Sequence, residues 1–150
     1  MHRDVEAVLH SKNPRAFERF LRVCATRTGQ EVNQSRMAGE CGVDQKTIAN
    51  WIEVLEICYV IKLVRPHHKN FGKRIVKRPK LFFLDSGLVC RLLHILDVNQ
   101  LAAHPQRGAL FETWCFGELL KGLTQRGIRD ALWYWRTSDG IEIDFLIERG

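Results

Sequence analysis

Four acids gather in the last third of the chain: Glu112, Glu118, Glu142 and Asp144. A glutamate on a helix with an aspartate on a hairpin strand supplies hard oxygen ligands, the kind that hold Mg²⁺ against a phosphate in metal-dependent nucleases. The same acids also suit a plain solvated face. Gln45, Lys46, Thr47 and Asn50 form a second group, opposite the apolar stripe of their helix. Near the start of a recognition helix, such side chains reach base edges and phosphates. An ordinary polar face, or a surface that docks protein, is the other reading. The third group is basic. Between Lys62 and Lys80 stand Lys62, Arg65, Lys69, Lys73, Arg74, Lys77, Arg78 and Lys80, with no acid among them. Without these eight the chain has fifteen basic and seventeen acidic residues, so its net charge of +6 belongs to this one stretch. It is either a solvated loop or a phosphate-facing surface.

Other candidates carry less. His67 and His68 are neighbours that a strand would point to opposite faces, and no third metal ligand lies nearby, so a role in the basic loop is expected. His104, before Pro105, reads as a linker residue. The five cysteines, Cys24, Cys41, Cys58, Cys90 and Cys115, form no CxxC pair and sit among apolar neighbours, which suggests reduced, mostly buried thiols and a cytoplasmic chain. Hydrophobic residues make up 45% and charged residues 27% of the 150, an ordinary globular composition. No apolar run approaches the roughly 20 residues of a membrane helix, and no signal-peptide core is visible, so no membrane partner is expected. No GxxxxGK[ST] occurs, so the chain has no P-loop ATP site of its own.

The elements that must position these groups are legible in outline. Asn13-Pro14 starts a helix with Phe17, Phe20, Leu21 and Cys24 on one stripe, ending at Thr28-Gly29. A short helix over Ser35–Cys41 stops at Gly42. Asp44 caps a third helix, whose buried face is Ile48, Trp51, Ile52, Leu55 and Tyr59. Trp51 belongs to the core. Helix, short helix, turn, helix is a helix-turn-helix pattern. YVIKLVRPHH and KLFFLD, joined by the basic stretch, follow as two strands, which predicts a winged helix with the loop as its wing. Asp85-Ser86 starts a further helix bearing Leu88, Val89, Leu92, Leu93 and Leu96. Residues 98–108 read as an irregular linker. A helix from Ala109 to Gln125 is then followed by LWYWR and IEIDFLIE, with Asp139-Gly140 as a hairpin turn. In the last strand Ile141, Ile143, Phe145 and Ile147 should face one way, and Glu142, Asp144 and Glu148 the other.

A longer set of residues supports a resemblance. Thr28-Gly29-Gln30, Val32-Asn33, Asn70, Lys73-Arg74, Lys77, Pro79-Lys80, Phe82, Asp85 and Gly87-Leu88 belong to it. So do Gly108, Leu110-Phe111-Glu112, Glu118-Leu119, Tyr134-Trp135-Arg136 and Glu142-Ile143-Asp144-Phe145. Together they resemble the C-terminal region of predicted prokaryotic AAA-type ATPases, a domain of unknown function, along nearly the whole chain. The resemblance implies an α+β architecture: a winged helix-turn-helix over residues 1–97, a linker over 98–108, and over 109–150 the first part of a restriction-endonuclease-like (PD-(D/E)xK) unit. It implies Glu112 and Asp144 as a metal pair. The chain stops before the E-x-K motif that would complete the site, so Mg²⁺ belongs only to a complete version. The expected function is a non-catalytic DNA-binding or docking part of an AAA-type ATPase. Gln45, Lys46, Thr47, Asn50, Lys69, Lys73, Arg74, Lys77, Arg78 and Lys80 would be its DNA contacts, and DNA and the ATPase core its partners. A metal-dependent nuclease and a protein-interaction or self-association module are the alternatives. The last would use a homodimer formed through the unpaired strand edge.

Overall fold

The structure is a computed structural model that describes residues 13–67, 78–137 and 139–148. In chain order the elements are α1 (Pro14–Thr26), β1 (Gln30–Glu31), α2 (Gln34–Cys41), α3 (Gln45–Ile57), β2 (Ile61–Val64), β3 (Lys80–Phe83), α4 (Ser86–Leu92), α5 (Val98–Ala103), α6 (Arg107–Gln125), β4 (Leu132–Arg136) and β5 (Glu142–Ile147). The architecture is mixed helix and strand with small antiparallel sheets. One sheet has the order β1-β3-β2, and the other pairs β4 with β5.

The helix starts follow from capping chemistry. Asn13 accepts from the Ala16 amide at 3.1 Å with Pro14 in the first position, and Asp44 accepts from the Thr47 amide at 2.8 Å. Asn33 caps α2 in the same way, so that helix starts one residue before the expected Ser35. Gly42 ends it at φ +69°, the left-handed conformation that glycine adopts without a Cβ clash. Asp85 caps α4, but this helix stops at Leu92 and buries Val89 alone, with Leu96 left 64% exposed beyond it. Residues 98–108 are not irregular. Asp97 caps α5 through the Gln100 amide, and α6 already begins at Arg107.

Phe20 and Cys24 of α1 meet Ile48, Trp51, Ile52 and Leu55 of α3 in the main core, together with Met37, Ile61, Leu81, Phe83 and Val89. Trp51 lies 5.3 Å from both Phe17 and Phe20, ring to ring, and is a core residue as expected. Cys24 and Cys41 are buried, whereas Cys58 is exposed, because it stands at the C-terminal end of α3 rather than on its inner face.

β3 decides how the rest attaches. All four of its residues are buried. Successive strand residues point to opposite faces, so Leu81 and Phe83 enter the main core. Phe82 enters a second cluster with Val64, Phe116 and Tyr134. Phe82 stacks on Phe116 of α6 at 4.6 Å and lies 5.7 Å from Phe145 of β5. Residues 109–148 therefore pack on the outer face of the first sheet. Just past β2, Pro66 adds a parallel bridge to Tyr134 of β4.

The last strand departs from the expected alternation. Its register against β4 shifts between Trp133 and Trp135, so that two β5 residues oppose one. Such a bulge brings sequence neighbours to a similar side. Asp144 and Phe145 accordingly both turn toward β3, while Ile141, Ile143 and Ile147 stay 64%, 47% and 39% exposed.

Candidate functional site

Lys80 opens β3 and shares its outer face with Phe82, so its side chain runs under α6 and the hairpin, only 4% exposed. Its ammonium contacts three carboxylates. Glu142 is the closest, with Glu112 Oε1 and Asp144 Oδ1 each at 3.4 Å. It also stands 5.3 Å from the centre of the Tyr134 ring, a cation–π contact. Arg136 adds a second cation, 3.3 Å from Glu31 and 3.5 Å from Glu142.

Three features hold this arrangement. Gly29, at φ +77°, lets the chain turn into β1 beside Glu112, where any side chain would approach the Glu112 carboxylate to 3.1 Å. Thr28 and Thr113, both fully buried, join the two regions through their hydroxyls at 2.7 Å. Thr113 donates its own proton to the Ala109 carbonyl, so Thr28 is the donor between them. Tyr134 donates its hydroxyl to the Arg78 carbonyl.

The electrostatics follow from burial and crowding. Burial works against the Lys80 charge, but the hydrogen bond to Glu142 and the charges of Glu112, Glu142 and Asp144 outweigh it and raise its pKa above the ordinary 10.5. Burial pushes the Glu112 carboxyl up from its ordinary 4.5. Lys80 opposes that rise, and Asp144 and Glu142 add to it. Tyr134 is pushed up to about 12, first by burial and then by Glu31 and Glu142.

The cluster floors a cleft of about 480 Å³. Arg27, Arg36 and Arg78 line it from the first region, and Glu40 holds Arg27 and Arg36. The cleft thus has a cationic wall and an anionic floor.

The expected site residues divide as follows. Gln45, Lys46 and Asn50 are exposed on α3, as their helix face requires. Thr47 is half-buried, and its hydroxyl is bonded to Asp44 at 2.9 Å, so it serves the helix start. Arg78 is exposed beside the cleft. Lys69, Lys73, Arg74 and Lys77 lie outside the described residues, as does His68. Lys80 leaves the group of surface cations, because its ammonium is buried among carboxylates. His67 is also buried, 3.9 Å from Glu148 and edge-on to Trp133 at 6.0 Å.

Glu112 and Asp144 do meet, but at Lys80. Among the described residues no group of three or more His, Cys, Asp or Glu side chains is disposed to hold a metal ion. As arranged, these carboxylates fit an ammonium rather than Mg²⁺. Sequence reasoning missed Lys80, Arg136 and Glu31 as members of this site. A signal for Lys80 was available. KLFF is apolar at every position after its first, which marks a strand buried on both faces, and a period of two puts Lys80 on the face of Phe82.

Residues 1–99 match the family described as Domain of unknown function (DUF8612), and residues 107–150 match that described as Domain of unknown function (DUF4143). The site draws Lys80 from the first stretch and Glu112, Glu142 and Asp144 from the second. The uncharacterized proteins Mb2031c of Mycobacterium bovis and Rv2008c of Mycobacterium tuberculosis are each 32% identical over 120 residues. Those residues are 80% of this chain but 26% of either relative, so the chain spans about a quarter of their length. No solved structure matches. Among the described residues no helix is long and apolar enough to cross a membrane.

Proposed function

The chain belongs to the family described as Domain of unknown function (DUF8612), and on that premise we propose that it is a non-catalytic nucleic-acid-binding part of an AAA-type ATPase. The observation that carries the reading is α3. Its inner face, Ile48, Trp51, Ile52 and Leu55, is buried, while Gln45, Lys46 and Asn50 stand exposed at its N-terminal end. Side chains of this kind, so placed, suit base edges and phosphates. The order α1-β1-α2-α3-β2-β3 with sheet order β1-β3-β2 is what a winged helix is built from, and the basic stretch falls where its wing would be. The ATPase context rests on the resemblance of the sequence and on relatives about four times the matched length. The test is fluorescence anisotropy with labelled duplex DNA. Gln45, Lys46 and Asn50 replaced together by Ala should weaken binding at least tenfold with the circular dichroism unchanged. An unchanged affinity would remove α3 from the interface.

A second reading, a metal-dependent nuclease, is favoured by one observation: Glu112, Glu142, Asp144 and a lysine converge in a cleft with arginines on its wall. Lys80 already occupies the place between those carboxylates, so the binding reading predicts no cutting. Supercoiled plasmid with Mg²⁺ or Mn²⁺ separates the two. Cleavage that vanishes in Asp144→Ala establishes the nuclease.

A further inference from the structure

The outer face of α3 carries a row of side chains that the fold itself does not use. Lys46 and Glu53 are seven residues apart, so at 3.6 residues per turn they stand within about 20° of each other around the axis. Asn50 lies between them, four residues from one and three from the other. All three are exposed, opposite the buried Ile48, Trp51, Ile52 and Leu55. Among the described residues, none of these three side chains makes a hydrogen bond or an ion pair. Other surface cations do: Arg22 is held by Glu18, Arg36 by Glu40, Lys62 by Asp130 and Lys121 by Glu118. The row is thus a cation, an amide and a carboxylate in fixed order. At ~1.5 Å per residue it runs about 10.5 Å along the helix, which matches three base-pair steps of about 3.4 Å.

Glu53 is the informative member. β2 packs on α3, and the chain from Lys62 at β2 to Lys80 at β3 carries eight basic residues and no acid, which calls for an anionic partner. Against phosphates alone a carboxylate on this face would only repel. Against base edges it has a use, because the major groove offers exocyclic amines at cytosine N4 and adenine N6, and a carboxylate suits the former. We propose that α3 reads a short DNA sequence in the major groove. Glu53 accepts from a cytosine N4 amine, Asn50 pairs with adenine N6 and N7, and Lys46 donates to guanine O6 and N7. Glu53 is the residue that sets specificity, since it gains nothing from the backbone and is repelled wherever no amine meets it. Duplex RNA is a poor fit, because its major groove is too deep and narrow for side chains to read. This recognition rests on the nucleic-acid reading of α3 and deepens it from binding to sequence selection.

The experiment uses the full chain to select from a pool of short DNA duplexes randomised at their centre. One ordered site should emerge and bind at least tenfold more tightly than a scrambled duplex. Glu53→Gln should move the preferred base at one position from cytosine to adenine, because a glutamine amide pairs with adenine N6 and N7. Lys46→Ala should erase a guanine preference about three base pairs from that position. Circular dichroism should be unchanged in both variants, since neither side chain holds the fold. A selected pool without preferred bases, unaltered preferences in Glu53→Gln, or two affected positions that are immediate neighbours would each overturn the proposal. So would a duplex RNA of the selected sequence that competes as well as the DNA. If a scrambled duplex still binds in those cases, and the triple alanine substitution of Gln45, Lys46 and Asn50 still weakens it, the nucleic-acid reading stands without sequence selection. Failure to bind any duplex overturns both.

Discussion

Around α1, α2 and α3 the buried side chains are apolar, and each helix begins at a side-chain cap. Around α6, β4 and β5 the apolar cluster is small, and two threonines, a tyrosine and an ionic network of Lys80, Arg136 and four acids complete the attachment. Large apolar side chains of the second region also remain in water: Phe111, Trp114, Ile141 and Ile143. The first region thus holds the larger apolar core, which also takes in Leu110 of α6, and it exposes Gln45, Lys46 and Asn50 on α3. The second depends on the sheet of the first and keeps a face open. β3 is central to the connection, because it feeds a core on each side, and the Thr28–Thr113 bond and the Pro66–Tyr134 bridge add to it.

Substitutions probe the two regions at different depths. Phe20 is fully buried in the first core, so Phe20→Ala should cost about 3–5 kcal/mol in urea melts. A cost below about 1 kcal/mol would mean that α1 does not form the core. Lys80→Met removes the cation shared by three carboxylates. It should cost roughly 3 kcal/mol, the low end for breaking a buried ion pair, because the Asp144 side chain is 58% exposed. The variant should also loosen the second region first, seen as faster hydrogen exchange in β4 and β5 than in α3. Uniform exchange would deny the distinction between the regions.

Glu112→Gln probes the second region through pH. The folded pKa of Glu112 is raised, so its contribution is fully present below the ordinary 4.5 and is lost as pH rises through the higher folded value. The stability of Glu112→Gln relative to wild type should therefore improve between pH 4 and pH 7. A relative stability that falls over that range would mean that Lys80 outweighs burial at this carboxyl. The smallest effects belong to the open surfaces. Gln45→Ala and Trp114→Ser should each change stability by less than about 0.5 kcal/mol, because both side chains are exposed.

How much was legible follows the same division. Asn13, Asp44, Asp85 and Gly42 act where their chemistry places them, and Ile48, Trp51, Ile52 and Leu55 are buried as their spacing requires, whereas Tyr59, expected on the same face, lies past the helix end at Ile57 and is 81% exposed. These are local signals. β1 escaped notice because a strand of two residues has no periodicity, and it exists through its pairing with Leu81 and Lys80. Thr28 and Thr113 are 85 residues apart, and nothing local marks either as a partner for the other. Glu112 and Asp144 were readable as hard oxygen ligands from their place on a helix and a hairpin strand, and the resemblance singled them out as a pair. Their shared cation was missed because Lys80 counts, in sequence, as one more member of a basic run, although the apolar run after it in KLFF marks its burial. The faces of β5 were misread because a bulge leaves no mark on an alternating pattern.

The most direct test of the central claim is the salt dependence of duplex DNA binding. If the basic stretch and α3 engage ~4–6 phosphates, log K should fall against log salt with a slope of about −4 to −5. Replacing Lys73, Arg74, Lys77 and Arg78 by Ala should flatten that slope, whereas Lys80→Met should leave it unchanged, because the Lys80 ammonium is spent on Glu142, Glu112 and Asp144. A slope that survives the quadruple substitution, or that falls with Lys80→Met alone, would contradict the account.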